Sequence, residues 1–105
     1  MAAEKNEDYR QALHYTKAIL SQCPDNVELH CKVIELLSKD NRLNEATDYS
    51  QKLQNDFRQS PVFLYWRGRV LIYNGNTDLG RKHFMEALRL NPDYVDAQRM
   101  IKKIK

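Results

Sequence analysis

Residues 75–94 read GNTDLGRKHFMEALRLNPDY. A glycine opens the stretch, a helix-forming run follows, and Asn-Pro-Asp closes it. Helical spacing sets Gly80, Phe84 and Leu88 on one inward face. A residue with no side chain therefore stands where bulk is expected, and something must approach it closely.

Self-similarity supplies the answer. Pro24 in QCPDN and Pro92 in LNPDY lie 68 residues apart, twice 34, and Arg58 stands midway between them. Ala12, Ala46 and Gly80 hold the same phase and are all small. Ile19, Leu53 and Ala87 share it and are all apolar, and Leu37 pairs with Leu71. Asn41 and Gly75 form a further pair, and both tolerate the left-handed backbone that ends a helix. The period resolves into helices predicted at about 8–22, 27–38, 43–56, 61–74, 77–91 and 94–104. Pro61 suits a first helical turn, and Asn76, Thr77 or Asp78 can cap the helix that follows. The connections are short, so neighbouring helices run antiparallel. Gly80 then faces Gly68 across the turn at Gly75, and Ala46 faces Ile34 across Asn41. Larger residues there force the pair apart, at roughly 1–3 kcal/mol.

The bulk numbers agree with one small helical domain. The chain has 105 residues, 42% hydrophobic and 30% charged, with three glycines and three prolines. The net charge of +3 is mild and demands no nucleic acid. The basic end RMIKKIK carries no interleaved aromatics and reads as a solvated helix face. No apolar stretch follows the charges of MAAEKNEDYR, and no run reaches 18 apolar residues. The expectation is a reducing cytosolic or nuclear setting with no membrane contact. Cys23 and Cys31 make no disulfide framework. Together with His30 they match no standard zinc spacing, so neither metal nor cofactor is expected. No phosphate loop or other catalytic motif is present, and an enzyme is not expected.

These residues resemble the tetratricopeptide repeat (TPR) family, whose 34-residue unit is a helix–turn–helix. Leu64, Gly68, Leu71, Gly80, Phe84, Ala87 and Pro92 fall on its pattern, with Arg67 in place of the usual leucine. The copy over 27–60 is looser, with His30, Val33, Ile34, Leu37, Ala46, Ser50, Leu53 and Arg58. The resemblance implies an all-α solenoid of antiparallel helix pairs in a right-handed superhelix. Residues 8–26 supply the second helix of a partial repeat, 27–60 and 61–94 are whole repeats, and 95–105 is a terminal helix. All belong to a single domain cut from a longer array. YWRGRVLIYNGNTDLGRKHFMEALRLNPDY and EDYRQALHYTKAILSQCPDN are most similar to the middle repeats of TPR-containing DnaJ co-chaperones of the DnaJ homolog subfamily C member 7 type. That resemblance implies a J-domain elsewhere, because His14, His30 and His83 precede Tyr, Cys and Phe and give no His-Pro-Asp.

In such a stack the first helix of each pair lines the concave side. Spacing then selects Glu28, Cys31, Lys32, Glu35 and Lys39, then Val62, Tyr65, Trp66, Arg69 and Tyr73, then Asp96, Arg99, Met100 and Lys103. The candidate partner-binding set is Lys32, Glu35, Lys39, Tyr65, Trp66, Arg69, Tyr73 and Arg99. Tyr, Trp and Arg dominate binding hot spots. Two plainer readings stand beside this. Trp66 also suits a wedge between neighbouring first helices, and the Glu28-Lys32-Glu35-Lys39 row suits a solvated face. Tyr65 and Arg69 are expected to be exposed. Related co-chaperones hold acidic Hsp70 or Hsp90 tails in a carboxylate clamp. By position the clamp wants Asn, Lys and Arg where this chain has Lys32, Val62 and Trp66, so no clamp is expected. The implied partner is a protein or peptide segment, Hsp70, Hsp90 or a client among them. The exposed ends of the stack are where copies can join into a homo-oligomer. The alternative is an assembly segment of another TPR-containing complex without a chaperone role.

Overall fold

The computed structural model describes residues 2–104, with side chains from Asp8 onward. It holds six helices: α1 (Ala2–Leu20), α2 (Val27–Lys39), α3 (Leu43–Phe57), α4 (Pro61–Tyr73), α5 (Thr77–Leu90) and α6 (Val95–Lys103). No strand occurs among the described residues. Each helix packs on its neighbours in sequence, and α2 also packs on α4. The chain is an all-α repeat solenoid.

Local chemistry explains the boundaries. Asn26 caps α2 by accepting from the Leu29 N–H at 3.1 Å. Ser60 caps α4 by accepting from the Phe63 N–H at 3.3 Å, and Pro61 fills the first turn. Asn76 sits at the N-terminus of α5 as predicted, but its side chain makes no capping bond. Asn41 and Gly75 adopt φ of 60° and 93°. Behind them the Arg42 and Asn76 amides reach back to the Leu37 and Leu71 carbonyls at 2.9 and 2.8 Å, so α2 and α4 end in the same left-handed cap. The largest departure is α1, which starts at Ala2 rather than near residue 8.

The close crossing is where the sequence puts it. A Cβ on Gly80 would lie 2.8 Å from the Gly68 carbonyl oxygen and 2.6 Å from Ile72 Cγ1. One on Gly68 would meet Phe84 Cε1 at 2.9 Å. Phe84 is fully buried beside this contact, as are Ile34 and Ala46 in the preceding hairpin. Two apolar clusters result. One gathers Leu13, Leu20, Ile34, Leu37, Ala46 and Phe63. The other gathers Leu64, Tyr65, Phe84, Ala87 and Ala97, and Trp66 packs against both. One column member departs from its phase. Ile19 is 52% exposed, because the helix that covers Leu53 and Ala87 in later repeats has no counterpart before α1 among the described residues.

Candidate functional site

The first helices α2 and α4 lie side by side, and a cleft of about 310 Å³ opens between them. Glu35, Ser38 and Lys39 line it from α2, and Trp66, Arg69 and Tyr73 from α4. Arg69 is its most constrained member. Its guanidinium carbon stands 4.7 Å from the Trp66 ring centre, 5.4 Å from Tyr73 and 5.6 Å from Tyr65. Its Nε and Nη2 donate to the Tyr73 hydroxyl, and Nη1 donates to the Tyr65 hydroxyl at 3.4 Å. Burial works against its charge, and the Tyr73 and Tyr65 hydroxyls more than offset this, so Arg69 stays a firm cation. Two of its five N–H donors remain free to meet a ligand.

The opposite wall is an ion-pair row. Glu35 accepts from Lys39 at 3.0 Å and from Lys32 at 3.5 Å. Burial alone raises the Glu35 carboxyl, but the two ammonium groups hold it below the usual carboxylate range. With two cations, Lys39 and Arg69, against one carboxylate, the cleft lining is net positive. Its floor is an indole and a phenol ring. Such a site suits an extended segment carrying both apolar and acidic side chains.

The structure gathers Glu35, Lys39, Trp66, Arg69 and Tyr73 around this cleft and leaves three predicted members out of its lining, Lys32 among them, which only pairs with Glu35 from beside it. Tyr65 is only 8% exposed, wedged among Trp66, Phe84 and Tyr94 at ring separations of 5.4 to 5.8 Å. Its expected exposure is therefore wrong, and Arg69, also expected exposed, is partly buried; Tyr65 reaches the cleft only through its bond to Arg69. Arg99 is exposed on α6 but does not line the cleft. Cys31 is buried, and burial, helped by Glu28, pushes its thiol up to about 12, so it is inert and not groove-facing. Val62 and Met100 also pack into the apolar clusters. Ser38 is the lining residue that sequence reasoning missed, although it lies three residues past Glu35 on the same helix. His30 uses both ring nitrogens. Nε2 donates to the Pro24 carbonyl at 2.7 Å, leaving Nδ1 to accept from the Tyr49 hydroxyl at 2.7 Å.

Residues 2–102 match the family described as the TT21 fifth ARM repeats domain. The chain belongs to that family. It is a repeat domain of the TPR/ARM type, a fold that serves as a protein-interaction scaffold. The DnaJ homolog subfamily C member 7 homolog of Dictyostelium discoideum is 27% identical over 94 residues, 90% of this chain and 17% of that protein. Tetratricopeptide repeat protein 21B of Xenopus laevis is 30% identical over 86 residues, 79% of this chain and 7% of that protein. This chain thus spans less than a fifth of the length of either relative. Among solved structures, the first TPR of Spaghetti (RPAP3) bound to the HSP90 peptide SRMEEVD superposes with a TM-score of 0.79. It covers 95% of this chain and 79% of that one at 17% identity, which speaks to the fold alone. Among the described residues no helix is long and apolar enough to cross a membrane.

Proposed function

We propose that the chain is a peptide-binding scaffold of a chaperone-associated TPR protein, and that the α2–α4 cleft is its recognition site. The observation that carries this is Arg69, a cation fixed over Trp66 and between two tyrosines at the mouth of the cleft. A guanidinium held this way loses little conformational freedom on binding, which favours affinity. The ligand is an extended segment that lays an apolar side chain on Trp66 and Tyr73 and sets a carboxylate against Arg69 and Lys39. The similarity to two DnaJ homologues supports the chaperone setting.

Trp66 is the sole tryptophan, so its emission reports the cleft directly. Titration with a peptide alternating leucine and glutamate is expected to shift that emission with saturation. Arg69→Ala is expected to weaken binding by about fivefold or more, on the order of 1 kcal/mol, in a chain that stays folded. The peptide SRMEEVD is expected to bind weakly, because Lys32, Val62 and Trp66 stand where a carboxylate clamp needs Asn, Lys and Arg. Unchanged affinity in folded Arg69→Ala would move the site elsewhere.

A second reading, an assembly segment of a non-chaperone complex, draws on the TT21 family match and the likeness to the Xenopus protein. A J-domain bearing His-Pro-Asp in the full-length transcript favours the first reading, and its absence the second.

A further inference from the structure

The seam between successive repeats occurs twice among the described residues, closed once and open once. In the earlier seam Leu20 is buried, and the His30 ring meets the Pro24 carbonyl and the Tyr49 hydroxyl at 2.7 Å each, 5.8 Å from the Tyr49 ring. One period later the positions of Leu20, Pro24, His30 and Tyr49 read Gln54, Arg58, Leu64 and His83, and all four line an open cleft of about 260 Å³. A tyrosine and a histidine have become a histidine and a leucine, so the later seam is short of one aromatic ring. This cleft shares no residue with the α2–α4 cleft. Its walls α3, α4 and α5 have further helices on both sides of them in the chain.

The lining states what the missing ring should carry. Gln54 Oε1 is buried and has no hydrogen-bond partner among the described residues. His83 donates its Nδ1–H to the Leu79 carbonyl at 2.9 Å, and burial, the largest influence on the ring, favours its neutral form, so Nε2 is an acceptor. A buried acceptor without a donor is costly, so the cleft favours an occupant that brings one. Leu64 gives it an apolar floor. Arg58 and Lys82 are exposed at the rim, where the earlier seam has Pro24 and Asp48. The carboxylate of the lining, Glu86, is already held by Arg89 through both oxygens, at 2.9 and 2.5 Å. The rim cations are left to attract acid.

We propose that this cleft is a second binding site, taking a tyrosine side chain from a partner protein segment with acidic residues beside it. The ring lies on Leu64 in the space that Tyr49 and His30 fill in the earlier seam. Its hydroxyl donates to Gln54 Oε1, and the acidic neighbours meet Arg58 and Lys82.

Nuclear magnetic resonance titration with the acetylated peptide DEYGD tests this. The signals of Gln54, Leu64 and His83 are expected to shift with saturation while the Trp66 indole stays still. The peptide DEFGD, which lacks the hydroxyl, is expected to bind about fivefold more weakly. Leu64→His combined with His83→Tyr rebuilds the earlier seam's chemistry, fills the cleft from within, and is expected to abolish binding. Circular dichroism verifies the fold, and if that pair unfolds, Lys82→Glu on the exposed rim takes its place, with an expected loss of at least about threefold. Undisturbed Leu64 and His83 signals at millimolar DEYGD, equal affinity for DEFGD, or unchanged binding in the folded variant overturns the proposal. So does binding that requires a phosphate on the tyrosine, which would make the cleft an anion site.

Discussion

Two positions in the repeat over 27–60, and a third just before it, have direct counterparts one period later, and the two sets behave oppositely. Pro24, His30 and Tyr49 form a lock. The His30 ring bonds the Pro24 carbonyl and the Tyr49 hydroxyl and packs on Phe57 at 5.4 Å. Their counterparts Arg58, Leu64 and His83 make no such lock and instead border an open cleft of about 260 Å³. The later repeat gains its rigidity elsewhere, from backbone contact at Gly68 and Gly80. The same helical phase is thus held once by directional hydrogen bonds and once by steric closeness. An array needs its helices in phase, and chemistry at any one seam is free to vary.

Substitutions at each seam can break or sharpen this contrast. Gly80→Leu is expected to be the most damaging, lowering unfolding free energy by about 3 kcal/mol in urea titration, since the Gly68 carbonyl cannot give way. Even Gly80→Ala is expected to cost about 1 kcal/mol, although alanine is the better helix former. No loss in either variant would show that backbone closeness does not hold the later repeat. Next, His30→Leu installs the later repeat's residue in the lock. It strands the Tyr49 hydroxyl and the Pro24 carbonyl and is expected to cost about 2 kcal/mol, with Tyr49→Phe nearer 1. Equal stability of His30→Leu and wild type would reduce the lock to ordinary packing.

A third substitution is expected to stabilise. Arg67 is 4% exposed, and its Nη1 and Nη2 donate to Ser50 Oγ and Gln51 Oε1 at 2.6 Å, while Nε has no acceptor. Burial alone depresses its basicity. A buried cation held by neutral groups is a poor bargain against leucine, so Arg67→Leu is expected to raise stability by about 1 kcal/mol. The smallest effect concerns pH. Burial, seconded by the Arg67 charge, lowers the His83 pKa below its ordinary 6.5 against the opposing pull of the Leu79 carbonyl. The unfolded chain then binds the proton more readily. The contribution is complete above about 6.5 and fades as pH falls through the depressed folded value. His83→Gln should flatten that slope in urea midpoints. In Arg67→Leu, nuclear magnetic resonance titration should show the His83 pKa moving upward.

The fold was open to sequence reading because its signal is periodic. Small, apolar and turn residues repeat every 34 positions, and five of the six helices fall within a residue or so of the spans that phase sets. α1 escaped because residues 2–7 are good helix formers with no apolar face, and periodicity has nothing to register there. The cleft was legible in part. Tyr65, Arg69 and Tyr73 are spaced by four, but each such step turns about 40° past a full turn, so the stripe winds around α4. Tyr73 ends in solvent, while Tyr65 turns under Tyr94, which arrives from the α5–α6 connection. One-helix spacing carries no information about that neighbour. Cys31, which spacing alone set on the groove face, is buried for the same reason, since α2 packs on both α1 and α4.

Trp66 has a consequence for how the molecule comes apart. It touches the cluster under α2 and the cluster under α5, so the indole is a hinge pin between two half-cores as well as the floor of the cleft. In a linear array, cooperativity passes only between neighbours. Removing the indole should therefore split one melting transition into two. A ligand resting on that ring would tighten the joint and make the halves melt together, so occupancy of the cleft and all-or-none unfolding are read from the same side chain.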